Sequence, residues 1–376
     1  MIAFRPQLLA IMLWLISSLL FSPLLWAANS ASSTETAPSV YHAAILIYHH
    51  VSEQSPPSTS VSPDRFRTHL DLLDEQGYTV WPLQKVMQTI SQRQPMPDKV
   101  VALTFDDGYE DVYQNAWPLL KRRKLPFTVF VSGAYINQHP LYLTWEQLKE
   151  MQDTGLMTVG NHTASHPHMI RRQEDESRAD WLKRMQREIN LNESLIKKFL
   201  GASTPFFAFP YGESNPDLER LVRQMGYMGF GQQTGTASLY TGLSLIPRIA
   251  ANGLYSNPST LITKLNSLPL PVKNVQPASG VLEADQTRPE LTFDLYPGEY
   301  DPNQLRCYGG DGHEIETQHQ ALKAGGYRVK VITDRDLSPG RTRYNCTAPS
   351  QQQARYFWFS KQWMLPNPNG QWYQEH

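Results

Sequence analysis

The chain has 376 residues, 40% of them hydrophobic and 18% charged, which suits a globular protein of two domains and argues against disorder or a polytopic membrane protein. Lys plus Arg (34) nearly balances Asp plus Glu (35), so no net basic field points to nucleic acid or to an anionic membrane surface, and a neutral substrate fits better than a polyanion.

The first thirty residues, MIAFRPQLLAIMLWLISSLLFSPLLWAANS, place Arg5 before an apolar stretch from Leu8 to Trp26 and end in small residues at Ala27 and Ala28. That is the pattern of a signal peptide over 1–28, with export to the periplasm or the medium; an uncleaved membrane anchor is the rival reading, since the stretch is nearly long enough to span a bilayer. A polar segment over 29–42 reads as a linker.

From 43 to 268, short β-like runs alternate with helix-like segments. The runs are AAILIYHHV (43–51), VVALTFDDG (100–108), FTVFVSG (127–133), LMTVGNH (156–162), FFAFPYG (206–212) and SLIPRIA (244–250). Continuous apolar runs suit strands covered on both faces, and their alternation with helices argues for a parallel α/β barrel or sheet. The clearest helix begins at SPDRFRTHLDLLDEQG, with Ser62 as cap, Pro63 in the first turn and a stop at Gly77. WEQLKEMQDTG and the segment 175–200 follow the same period.

After 268 the texture changes. Residues 269–280 are proline-rich and read as a linker, and 281–376 read as a small β-rich, sandwich-like domain with one short helical stretch near Gln318. Its two cysteines, Cys307 and Cys346, are the only ones in the chain, and in an exported protein they are expected to form a disulfide. The aromatic run YFWFSKQW would place Tyr356, Trp358 and Ser360 on one face of a strand, suited to stacking on sugars or to filling a seam.

In parallel α/β folds ligands bind at the carboxyl ends of the strands, where YHHV, DDGY, NHTASH and PYGE all fall here. His162 and His166, four residues apart, can reach one ion, and a carboxylate would complete a His2Asp site with an open position. The paired Asp106 and Asp107 divide two jobs between them, one binding the ion and the other free to act as base, although an N-cap would account for one of them.

TFDDGY, HTASH and FPYG, in this order, resemble the polysaccharide deacetylases with a NodB-homology domain, a carbohydrate esterase group, over roughly 43–268. The resemblance implies a distorted (β/α) barrel, with Asp107, His162 and His166 as metal ligands, Asp106 as catalytic base and the backbone amide of Tyr211 as oxyanion donor. Zinc is the expected metal; cobalt, nickel or iron also suit the donor set.

Two features of the common pattern are missing: an Arg at the position of Ala208, and a late Leu-x-His. With YHHV at the first strand, the chain looks more like the subgroup that deacetylates poly-β-1,6-N-acetylglucosamine in biofilm matrices, which makes His49 the general acid and His50 its competitor. Arg248, on a late strand, is a candidate partner of Asp106 and a candidate substrate-binding residue. The reading expects a monomer that acts on an N-acetylated polysaccharide, with no nucleic acid and with a membrane contact only through an uncleaved leader. The alternatives are a deacetylase of chitin-like, peptidoglycan or O-acetylated glycans, and a catalytically silent polysaccharide-binding protein.

Overall fold

The structure, a computed structural model, describes residues 41–374. The signal peptide expected over 1–28 and nearly all of the linker expected over 29–42 lie outside these residues; of that linker's last two residues, His42 already begins a strand. Among the described residues no helix is long and apolar enough to cross a membrane.

The first unit is built on parallel strands. His42–Tyr48 pairs with Val100–Phe105, followed outward by Phe127–Val131, Met157–Asn161, Phe206–Ala208 and Met228–Phe230, all in parallel register. The run after Met228–Phe230 returns to the start: Ile246 bridges Phe230, while Ile249–Ala250 pairs in parallel with Leu46 and Ile47. The curled sheet therefore meets its own first strand, and of the longer run expected over 244–250 only these contacts are regular. Both faces of Val100–Phe105 are buried, which is why its sequence is continuously apolar rather than alternating.

Helices cover the outside. Ser62 caps Pro63–Glu75 by accepting from the backbone N–H of Arg65, with Pro63 in the first turn. Thr144 and Gln147 form a capping box on Trp145–Asp153. Phe66, Leu70, Leu73, Trp117, Leu148 and Ile196 join the outer core between sheet and helices. Phe130, Phe206, Ala208 and Phe230 belong to a second core, against which Leu83–Ser91 packs.

The second unit is an eight-stranded, all-β sheet that begins earlier than its sequence suggests. Leu268–Pro269 pairs with Tyr356–Leu365, and Val272–Gln276 pairs with Leu291–Leu295, so the segment 269–280 contains sheet strands instead of a plain linker. Both lie at the ends of the strand order, where proline is tolerated because no neighbour needs its missing N–H on the outer side.

Gln318 also differs from expectation: it lies in the strand Glu314–Ala321, paired with Lys330, and not in a helix. Burial along that strand alternates, but only Ile315 among its inward residues is strongly apolar, so the sequence shows no alternation of apolar and polar residues. Cys307 and Cys346 are directly opposed on neighbouring strands and form the expected disulfide. Phe357 and Phe359 pack against the core of this unit, while Tyr356 on the other face is half exposed.

Candidate active site

The four polar sequences at the strand ends converge. Asp106 and Asp107 follow Val100–Phe105, His49 and His50 follow His42–Tyr48, His162 and His166 follow Met157–Asn161, and Tyr211 follows Phe206–Ala208. A groove of about 570 Å3 opens over them, and His49, His50, Asp107, His166 and Tyr211 are among the residues that line it.

Asp107 Oδ1 lies 3.1 Å from Nε2 of His162 and 3.1 Å from Nε2 of His166. All three ligand atoms fall within 4.8 Å of one another. His162 is fully buried, and the carbonyl of Ala208 sits 2.8 Å from its Nδ1. That carbonyl can only accept, so Nδ1 carries the proton in the neutral ring and Nε2 presents its lone pair to the carboxylate. Asp107 Oδ1 and His162 Nε2 are both buried without a hydrogen-bond partner. Two lone pairs facing each other at this distance fit a cation between them, so the donor set suits a divalent metal.

Asp106 is held differently. Arg248 donates from both terminal nitrogens to its two oxygens, at 2.7 and 2.6 Å, and both side chains are wholly buried. The same guanidinium donates to the carbonyl of Gly231 and to Thr104 Oγ1, and lies 5.3 Å from the centre of the Phe130 ring. Burial is the largest influence and works to raise the Asp106 pKa, but the Arg248 charge and hydrogen bonds together with the charges of His162 and His49 outweigh it, so the carboxyl is held below its usual range. At 0% exposure Arg248 has no surface for a sugar, so the substrate-binding candidate is a buried partner of Asp106. It approaches from the run that closes the sheet, whereas the common family pattern would place an arginine at Ala208.

The two adjacent histidines part company. His50 Nδ1 is 2.6 Å from Asp111 Oδ2, and its ring stacks on Tyr109 with centres 3.5 Å apart. His49 Nδ1 is buried with no hydrogen-bond partner. Burial pushes the His49 pKa down while the Asp107 and Asp106 carboxylates pull it up, and the net direction is down. When protonated it is therefore a ready proton donor.

Backbone conformation at the site is costly. Asp107, Thr163, His166 and Tyr211 all have φ between 51° and 73°, a region that disfavours side chains and costs on the order of 1–3 kcal/mol per residue. Gly108 has φ 84°, and a Cβ there would come within 3.0 Å of Ile136, so the residue after the paired aspartates has little room to be anything else. Asn161, fully buried, bonds the carbonyl of Ile189, the N–H of Thr163 and Asn192, bracing the loop that carries both histidines. His168 bonds Glu213 and stacks on the Tyr211 ring at 3.8 Å.

Several groove residues were not singled out in the sequence. Tyr109, Tyr142 and Tyr135 stack in series, with ring centres 5.1 and 5.0 Å apart. Arg341 and Arg343, from the strand Gly340–Pro349 of the second unit, reach the groove as well; Arg341 bonds the carbonyl of Tyr211 at 3.2 Å. Arg341 and Arg343 come from a different domain, so no local motif announces them. DDGY contained Tyr109, but its role as a groove wall needs Tyr142, which lies 33 positions later.

Comparison with known proteins agrees with this geometry. Residues 93–230 match the family model described as polysaccharide deacetylase. YxkH of Bacillus subtilis (strain 168), assigned by name to the polysaccharide deacetylases, is 30% identical over 208 residues, 54% of this chain and 70% of that protein. The poly-β-1,6-N-acetyl-D-glucosamine N-deacetylase of Staphylococcus aureus (strain MRSA252) is 24% identical over 209 residues, covering 54% and 72%. Among solved structures, the Streptococcus pyogenes deacetylase PplD, determined with acetate, superposes with a TM-score of 0.54 and 28% identity, over 60% of this chain and 99% of that one. IcaB from Ammonifex degensii gives 0.51 and 27%, over 58% and 95%.

Proposed function

Because the chain belongs to the polysaccharide deacetylase family, we propose that it removes N-acetyl groups from poly-β-1,6-N-acetylglucosamine outside the cytoplasm, with a divalent metal, zinc first, held by Asp107, His162 and His166. The observation that carries this reading is the pairing of a buried, ionised Asp106 with an adjacent set of metal donors at the floor of an open groove.

The metal, when bound, supplies Lewis acidity that polarises the acetyl carbonyl and makes water a usable nucleophile near neutral pH. The chain supplies the rest. Asp106 takes a proton from the attacking water; Arg248 keeps it ionised and aimed by holding both oxygens, which leaves the carboxylate its other lone pairs. The Tyr211 amide, set by the left-handed turn at φ 59°, serves as donor to the oxygen that gains charge. His49, in the groove and without a competing partner at Nδ1, delivers a proton to the departing amine. His50, tied to Asp111 and stacked on Tyr109, is held in place for packing. Tyr135, at the end of the stacked series, offers a face on which a neutral sugar ring can lie.

The subgroup assignment rests on YHHV at the first strand, on the arginine that reaches Asp106 from Arg248 instead of from position 208, and on the likeness to the S. aureus enzyme named above. The export reading rests on the leader sequence. Acetate release from β-1,6- and β-1,4-linked N-acetylglucosamine oligomers, with Asp106→Asn as control, tests it. Release from the β-1,6 series that the control abolishes is expected. Release from the β-1,4 series alone would move the substrate to chitin or peptidoglycan.

A further inference from the structure

The catalytic groove does not end at the barrel. Tyr255 and Arg343 line it, and the same two residues also line a second cleft of about 390 Å3 on the face of the carboxyl-terminal sheet. Lys264, Tyr308, Tyr356 and Trp358 border this second cleft. The sheet register explains the arrangement. Thr347 is paired with Trp358 and Pro349 with Tyr356, so the aromatic side chains and Arg343, Asn345 and Thr347 share one face, while Tyr344, Cys346 and Ala348 point into the core.

The cleft wall is preorganised. Arg343 donates to Tyr255 Oη at 2.8 Å and to Thr234 Oγ1 at 3.1 Å. The Lys264 ammonium sits over the Tyr255 ring, 4.4 Å from its centre, and the Arg343 guanidinium lies 5.1 Å from the same centre. Among the described residues that line the cleft there is no carboxylate. Burial and the nearby Arg343 lower the Lys264 pKa to about 8, so it keeps most of its charge at neutral pH and all of it in weak acid. Tyr255 is 40% and Tyr356 50% exposed.

We propose that this cleft is a distal subsite for the same glycan chain, that it stacks N-acetylated sugar rings on Tyr356 and Trp358, and that the two cations held at Tyr255 reject sugars already deacetylated. The inference rests on the deacetylase reading of the groove. Aromatic faces suit sugar rings, the cleft is continuous with the groove through two shared residues, and with no carboxylate on its walls the like charges of Arg343 and Lys264 oppose an ammonium group against the weaker pull of the ring faces. Each turnover breaks the amide C–N bond, sends the water oxygen to the acetyl carbon as acetate, and leaves an amine that takes up a proton. A neutral chain thus gains a positive charge at every product sugar. A cationic distal subsite would disfavour chains that bring such a sugar into it, which spaces the deacetylated positions along the polymer.

The test compares the full chain, loaded with zinc, on β-1,6-linked N-acetylglucosamine oligomers of two and of six sugars, and on the six-sugar oligomer bearing free amines at its non-reacting positions, at pH 6. Binding is read by calorimetry and turnover by acetate release. For the wild type, the acetylated six-sugar chain is expected to bind about five-fold or more tighter than its amine-bearing counterpart, the size of one like-charge contact near the surface. Tyr356→Ala should raise KM for six sugars several-fold and leave the two-sugar KM unmoved. Lys264→Glu should narrow or reverse the preference against amines.

A wild type that turns over the oligomers, with neither variant changing the six-sugar KM or the amine preference, would overturn the subsite. An inactive wild type defeats the catalytic reading instead, and calorimetry then decides the cleft by itself: loss of affinity in Tyr356→Ala supports it, and unchanged affinity overturns it.

Discussion

Arg248 and Asp106, 142 residues apart in sequence, share two hydrogen bonds of 2.6–2.7 Å with no solvent access to either side chain. Removing one partner of such a pair leaves the other charge buried and alone. Arg248→Ala is therefore expected to cost on the order of 3–5 kcal/mol of stability and to lower kcat by roughly 100-fold or more, because Asp106 loses both its charge partner and its aim. Arg248→Lys should recover charge but not the bidentate geometry, and fall between. Denaturant melts and acetate release check both; an unchanged rate in Arg248→Ala would remove the residue from the mechanism.

Metal binding should also register as stability. Added zinc is expected to raise the Tm of the wild type through binding to the folded state alone, and to leave His162→Ala unmoved. Chelation should abolish acetate release, with zinc restoring it. A His162→Ala protein that still takes up one equivalent of zinc and responds in Tm would exclude this donor set.

The two adjacent histidines separate by kinetics. His49→Gln should lower kcat by roughly 10²–10⁴-fold while the metal content stays at that of the wild type. His50→Gln should act mainly on stability, since it breaks the contact with Asp111 and the stack on Tyr109. If the larger kinetic loss fell on His50, the general acid would be reassigned to it.

Stability should fall in weak acid at the seam between the two units. His42, packed beside Arg355 and Asp98, has its pKa lowered from 6.5 to about 4, by burial first and by the Arg355 charge second. Between these two values the unfolded chain binds a proton at this position that the folded chain does not. The contribution is therefore intact above pH 6.5 and is lost progressively as the pH falls towards 4. His42→Gln should flatten that part of the pH–stability curve, measured by denaturant titration; an unaltered slope would assign the effect elsewhere.

The disulfide Cys307–Cys346 spans 39 positions. Closing a loop of that length in the unfolded chain is worth roughly 4 kcal/mol, so the double alanine variant should melt earlier by that measure. An equal Tm for the oxidised wild type and the variant would show that the unfolded state is already constrained.

Much of the site is legible in local sequence because its chemistry is local. Asp106 with Asp107, and His162 with His166, each come from one loop at the end of one strand, and a strand end in a parallel sheet has one place to point. The alternating apolar runs likewise announce the curled sheet, since a strand covered on both faces cannot hide its composition. The linker expected over 269–280 failed for the converse reason: edge strands are exposed and tolerate proline, so Val272–Gln276 carries no apolar signature.

The sequence by itself determined the paired carboxylates, the spacing of His162 and His166, the chain order of the motifs and the confinement of both cysteines to the carboxyl-terminal region, all of which depend on residue type and position in the chain. Only the tertiary structure decided that Arg248, the candidate partner, holds both oxygens of Asp106, which of two adjacent histidines keeps a nitrogen free of partners, and that a strand of the second domain, through Arg341 and Arg343, forms part of the groove. Those relations join residues far apart in the chain, and they are settled by how the closing run and the carboxyl-terminal sheet pack against the barrel, a non-local balance of burial and pairing that no window of sequence contains.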